Sequence, residues 1–402
     1  MSVRAGQAGY KRRSSFLPYG RQWIDEKDIE AVTAVLRGDY LTTGPYVPEF
    51  ESKLAEKVGA RYAVAFSNGT AALHAACYAA GIGEGDEVIT TPMTFAASAN
   101  CVLYQGGTPV FADIDEQTYN IDPRAVESLI TERTKAIIPV DFTGQPANLA
   151  AIQELAAKHG LVVIEDAAHA LGATYRSRPI GSISDMTMFS LHPVKHITAG
   201  EGGVIATDNE LYYGRLLDFR NHGIVREPSR LDQAPPGKWY YEMQSLGYNY
   251  RLTDISAALA ISQLDKLDAF VSRRRKIADT YNHAFREMSA IGIPYQEQFG
   301  ESSWHLYVIR LDLGQLSVGR DDIFNRLHEL NIGVNLHYIP VYLHPYYRRL
   351  GYPQGLCKKA ERVYESLITL PLYPGMTDED VEDVIAAVRQ VIGDCMEESV
   401  RR

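Results

Sequence analysis

Two hydrophobic periodicities alternate along the chain from about residue 25 to 210. Short, almost continuously apolar runs rich in β-formers fall at residues 62–66, 87–91, 109–113, 136–141, 161–166, 186–191 and 204–207. Helical stripes fall before and between the early runs. The first covers residues 48–58, with Phe50, Leu54 and Val58 on one face, and others cover 70–80, 96–104, 123–131 and 148–158. Strands apolar on both faces belong in a mainly parallel sheet with helices on each side. The pattern therefore predicts an α/β fold, whose ligands sit at the carboxyl ends of the strands.

From Thr253 to about Met288 the sequence is rich in Ala, Leu, Lys and Arg and predicts one long linking helix. Beyond it, residues 304–311 and 333–339 read as strands, and 320–330 and 378–392 as helices. The chain thus divides into a flexible polar tail (1–15), a large domain (16–264) and a smaller C-terminal α+β domain (265–402). A length of 402 residues is ample for two such cores.

Composition narrows the function classes. A net charge of −10 argues against nucleic acid as a partner and against an anionic membrane surface. No apolar run approaches the ~20 residues needed to span a bilayer. Arg12-Arg13-Ser14-Ser15-Phe16-Leu17 resembles a twin-arginine export signal, but charged residues follow where an apolar region belongs. The four cysteines show no C-x-x-C spacing and read as buried free thiols. A cytoplasmic protein is the expectation.

The candidate chemistry lies just after the strands. Ser67-Asn68-Gly69-Thr70 closes one strand and opens a helix, where free N–H groups and a glycine suit a phosphate. Phe95 follows the next strand and can stack on a flat ring. Asp166 ends a buried strand, and a carboxylate there needs a partner such as a protonated ring nitrogen. Lys195 follows Phe189-Ser190-Leu191-His192-Pro193-Val194, with Gly200-Glu201-Gly202-Gly203 just beyond. A lysine can form a Schiff base with an aldehyde. Singly these are an N-cap, a core aromatic, a helix cap and a surface lysine; in this order they indicate pyridoxal 5′-phosphate (PLP). His169, His192 and His196 lack the spacing of a metal site.

These residues, with Leu41-Thr42-Thr43-Gly44-Pro45, Glu165-Asp166-Ala167-Ala168-His169, Gly247-Tyr248-Asn249-Tyr250-Arg251-Leu252 and Val334-Asn335-Leu336-His337-Tyr338-Ile339-Pro340-Val341-Tyr342, resemble the DegT/DnrJ/EryC1/StrS family of sugar-nucleotide aminotransferases. The resemblance runs from about Phe16 to Ile392. Phe189 to Lys195, and Asp141 where many branches carry histidine, look most like the branch that aminates UDP-4-keto-6-deoxy-N-acetyl-L-altrosamine in pseudaminic acid synthesis. It implies the fold of PLP-dependent transferases of type I and a cofactor alternating between PLP and pyridoxamine 5′-phosphate (PMP). By the same resemblance Lys195 carries the cofactor, Asp166 pairs with its ring nitrogen and Phe95 stacks on the ring. His169 approaches the ring hydroxyl, and Gly69, Thr70 and Ser190 hold the phosphate. Asn249 would reach the cofactor of a second subunit, making a homodimer. Tyr19, Tyr40, Leu41, Thr42, Thr43, His337, Tyr338, Ile339 and Pro340 match sugar-nucleotide contacts, with Arg251 a diphosphate ligand.

The implied reaction moves an amino group from L-glutamate to C4 of a UDP-linked 4-keto-6-deoxy sugar. Another UDP- or dTDP-keto sugar is the alternative. A dehydratase on the same fold would have histidine in place of Lys195, and a sensor protein would need a partner module for which only the short tail remains.

Overall fold

The computed structural model describes residues 12–400. Seven strands form the central sheet: β1 (Tyr62–Phe66), β2 (Glu87–Thr90), β3 (Thr108–Phe111), β4 (Thr134–Ile138), β5 (Val162–Asp166), β6 (Met186–Ser190) and β7 (Gly203–Thr207). Their order is β1-β7-β6-β5-β4-β2-β3, parallel except for β7, which runs against both neighbours. Each strand is within about three residues of the run that predicted it, because uninterrupted apolar residues are stable only where helices cover both faces. The reversed β7 places Gly203 opposite both Phe66 and Ser190, so three chain segments converge at one end of the sheet.

Helix Gly69–Ala79 leaves that end and lies almost wholly buried, its Ala71, Ala72, Ala75, Ala76 and Ala79 allowing close approach to the sheet. A second, three-stranded sheet (Ile291–Gly292, Tyr307–Leu311 and Leu367–Leu370) packs with helices Arg320–Glu329 and Asp378–Val400 around a separate apolar cluster. No helix among the described residues is long and apolar enough to cross a membrane.

Four expectations need correction. The region from residue 253 to 288 is two helices, Asp254–Leu264 and Leu267–Phe285. Between them Lys266 is drawn to Asp25 and Asp28, the N-cap and first turn of helix Glu26–Leu36, at 2.5 and 2.8 Å. Residues 304–306 precede the strand rather than belong to it, with Trp304 in the left-handed region at φ 53°. Residues 333–339 form no strand; Asn335 pairs with Thr369, but its side chain takes the Leu336 N–H at 2.8 Å. Finally, Arg13 is not free: it ion-pairs with Asp380 at 2.7 Å and with Asp383. Residues 1–11 of the expected tail lie outside the described residues.

Candidate active site

A cavity of about 850 Å³ opens at the carboxyl ends of β1, β5 and β6. Its lining brings together Tyr19, Gly69, Thr70, Phe95, Asp166, His169, Ser190, Lys195, His337 and Tyr338, residues up to 319 positions apart in the chain.

The end of the cavity at the helix start is built by close packing. Asn68 caps helix Gly69–Ala79, its side chain accepting the Ala71 N–H at 2.8 Å. The first-turn N–H groups of Gly69 and Thr70 have no helical carbonyl to reach, which leaves them for an anion. A Cβ on Gly69 would lie 3.5 Å from Ser190 Oγ, so hydroxyl and glycine face each other across van der Waals distance.

Asp166 is 4% exposed at the end of β5. Burial pushes its carboxyl above the usual range, against donors from Ser98 and Ala168 and the positive charge of Lys195. Ser98 Oγ donates to Oδ2 at 2.5 Å and the Ala168 N–H to Oδ1 at 3.1 Å. Among the described residues Asp166 has no ion-pair partner, so a protonated ring nitrogen suits it. Lys195 opens onto the cavity, yet its amine is enclosed enough that desolvation lowers it to about 8, with Asp166 acting the other way.

The opposite wall is aromatic. Tyr338 OH lies 3.2 Å from His169 Nε2, and the Tyr338 ring is 6.4 Å from Phe95. Tyr19 packs on His337 at 5.3 Å. Burial lowers His337 to about 3 and pushes His169 well down as well, so both rings are neutral. The unpartnered buried Nδ1 of His169 also suits a polar ring substituent. The residues therefore fit PLP: an anion cradle, an unpaired carboxylate and a low-pKa amine share one cavity.

Other anticipated contacts lie elsewhere. Tyr40, Leu41, Thr42, Thr43, Asn249, Arg251, Ile339 and Pro340 do not line this chain's cavity. The first four adjoin the helix Asp254–Leu264 through the Thr42–Thr253 bridge and buried Asp254, which accepts the Gly44 and Tyr46 N–H groups. Asn249 is exposed, and Arg251 donates to Asn221 at 2.6 Å. Asp141 does not line the cavity; it accepts the Ala147 N–H at 2.8 Å, and burial, with the neighbouring Glu165 carboxylate, pushes its carboxyl well up.

Three neighbours of the site had weak sequence signals. Ser98 was visible only as a polar residue in an apolar helix, and His305 only as a histidine in an apolar run. Arg274, wholly buried, donates to the carbonyls of Trp304, His305 and Leu372.

A sheet of this topology with lysine and carboxylate at its carboxyl edge defines a PLP-type transferase site. The model of the DegT/DnrJ/EryC1/StrS aminotransferase family matches residues 22–389, and the chain belongs to that family. It is 44% identical over 384 residues to the spore coat polysaccharide biosynthesis protein SpsC of Bacillus subtilis (strain 168), covering 95% of this chain and 98% of SpsC. Helicobacter pylori PseC, an aminotransferase involved in the biosynthesis of pseudoaminic acid, superposes with TM-score 0.88 at 32% identity, over 94% of this chain and 100% of PseC. Spr1654 from Streptococcus pneumoniae is similar at 32% identity in a PMP form (TM-score 0.88) and a PLP form (0.87), each over 94% of this chain and at least 99% of its own. The family uses PLP, and the chain is a sugar aminotransferase.

Proposed function

We propose that the protein transfers an amino group from L-glutamate to C4 of a UDP-linked 4-keto-6-deoxy sugar, the UDP-4-keto-6-deoxy-N-acetyl-L-altrosamine of pseudaminic acid synthesis. The supporting observation is that Lys195 and Asp166 share one cavity with Tyr19, His337 and Tyr338 on its far wall. In this reading Gly69, Thr70 and Ser190 bind the cofactor phosphate, Asp166 keeps the ring nitrogen protonated and Phe95 covers the ring. His169 takes the ring hydroxyl. When bound, the cofactor supplies the electron sink that makes the donor's α-proton labile. Lys195 Nζ, displaced by the donor and uncharged above about pH 8, takes that proton and later returns one at C4 of the sugar. Neutral His337 and Tyr338 orient the sugar without adding charge beside the lysine.

The active unit in this proposal is a homodimer, with Asn249 reaching the neighbouring cavity and Tyr40, Leu41, Thr42, Thr43 and Arg251 approaching the nucleotide. Exposed Trp239, Met243 and Leu246, just before Asn249, give such an interface apolar surface to bury. Ile339 and Pro340 continue the sugar wall. A different sugar nucleotide is the second reading, favoured by the 44% identity to a spore coat polysaccharide protein.

The test offers purified protein and glutamate a panel of UDP- and dTDP-4-keto sugars and identifies the amino sugars formed. Preference for the L-configured UDP sugar is expected. Preference for a dTDP-hexose or the D-configured UDP sugar would overturn the assignment.

A further inference from the structure

Among the described residues the Lys195 amine has one hydrogen-bonding neighbour besides the field of Asp166: His305 Nε2, 3.5 Å from Nζ. His305 comes from the segment just before strand Tyr307–Leu311 and is 4% exposed. Its other ring nitrogen has no protein partner, so the contact with Lys195 is the ring's one hydrogen bond among the described residues.

The backbone around His305 is held from four sides. Arg274 donates to the carbonyls of Trp304, His305 and Leu372, at 3.4, 3.2 and 2.9 Å. Ser303 N–H bonds to the Gly144 carbonyl at 3.1 Å, and Leu306 N–H to the Thr143 carbonyl at 3.2 Å. Ser303 Oγ donates to the His169 carbonyl at 3.0 Å. Gly144, at φ 104°, makes the approach possible: a Cβ there would stand 2.8 Å from Trp304 N and 2.9 Å from His305 N. So much fixation at a segment outside regular structure places one side chain, and that side chain ends at Lys195.

We propose that His305 is the positioning residue for the released Lys195, accepting a hydrogen bond from Nζ at Nε2 while the lysine is not joined to the cofactor. The proposal rests on the reading of Lys195 as the cofactor lysine. Acceptance at Nε2 requires the tautomer protonated at Nδ1. Neutrality is also required, and burial lowers His305 far below the ordinary histidine value. The charged or titratable groups facing this pair are Asp166, Arg274, His169, His196 and His337. Glu201 lines the same cavity, but among the described residues Asp166 is the one acid acting on the amine, so His305 supplies the second stabilising contact for the ammonium form. It keeps the amine within reach of the cavity between proton transfers instead of letting it fold toward Asp166.

The test measures competitive acetylation of Lys195 across pH in the full-length protein loaded with PMP, read by peptide mass spectrometry. His305→Phe keeps the ring volume and removes the acceptor; His305→Gln keeps an acceptor. Loss of a hydrogen bond to a charged group should move the Lys195 midpoint down by about one pH unit in His305→Phe. In His305→Gln it should stay within about 0.3 unit of the parent. An unmoved midpoint in the Phe variant, or equal shifts in both, would overturn the proposal. His305→Leu replaces the Phe variant if that protein does not fold. A PLP-loaded control separates the two readings: if PLP fails to protect Lys195 from acetylation, the cofactor assignment fails rather than the role of His305.

Discussion

Gly203→Ala probes the anion cradle from behind without replacing any residue that would contact the cofactor. The added Cβ would stand 2.5 Å from the Asn68 carbonyl oxygen and 2.6 Å from Gly69 Cα. Ordinary contact begins near 3.4 Å, so the turn must retreat by roughly 0.9 Å, because backbone on both sides cannot rotate away. Hydrogen bonds from Gly69 and Thr70 to a phosphate, about 2.9 Å at rest, would stretch beyond useful range. Charge-assisted bonds contribute about 1.5–3 kcal/mol each, so losing one weakens PLP binding by roughly ten- to a hundredfold. Overpacking should also lower the stability of the cofactor-free protein by about 1–3 kcal/mol. The assay is a PLP titration of cofactor-free protein by absorbance, with chemical denaturation alongside. Gly214→Ala is the control: it lies in helix Glu210–Arg220, and its added Cβ meets nothing within 4 Å beyond its chain neighbours and its own helix backbone. It should leave PLP affinity unchanged and add up to about 1 kcal/mol of stability. Equal PLP affinity in Gly203→Ala and the parent would refute the reasoning.

Two further outcomes follow from the same site. Ser98→Ala removes a hydrogen bond to a buried carboxylate and should destabilise the cofactor-free protein by about 1.5–3 kcal/mol in denaturant titrations; no change would mean that the bond adds nothing to an ionised Asp166. Lys195 is lowered from 10.5 to about 8, so its neutral, basic form dominates above that pH. In stopped-flow measurements the glutamate half-reaction should rise about tenfold per pH unit below 8 and level off above; a rate still climbing at pH 10 would contradict this.

The sheet was legible because each of its strands is an apolar run bounded by helical stripes or turns, and the site residues follow directly from strand ends. Gly69 and Lys195 each carry a type of chemistry that their neighbours do not, and Asp166 is the last residue of its apolar strand. What stayed hidden depends on distant partners. The break at Asp265 and Lys266 has no glycine or proline to mark it; Lys266 leaves the helical line to meet Asp25 and Asp28. Residues 304–306 are apolar enough for a strand, but Ser302 Oγ takes the Trp304 N–H and the Thr143 carbonyl the Leu306 N–H before a sheet can. Ser98 gains its meaning only when its helix packs beside β5. Tyr40 and Asn249 raise the converse problem, since motif resemblance says nothing of which cavity a residue enters.

The most direct test is to reduce the PLP-loaded protein with borohydride, digest it and map the phosphopyridoxyl group by mass spectrometry. The account predicts a single modified residue, Lys195, with Lys195→Ala left unmodified and inactive. Modification at another lysine, or full turnover by the Lys195→Ala protein, would contradict it.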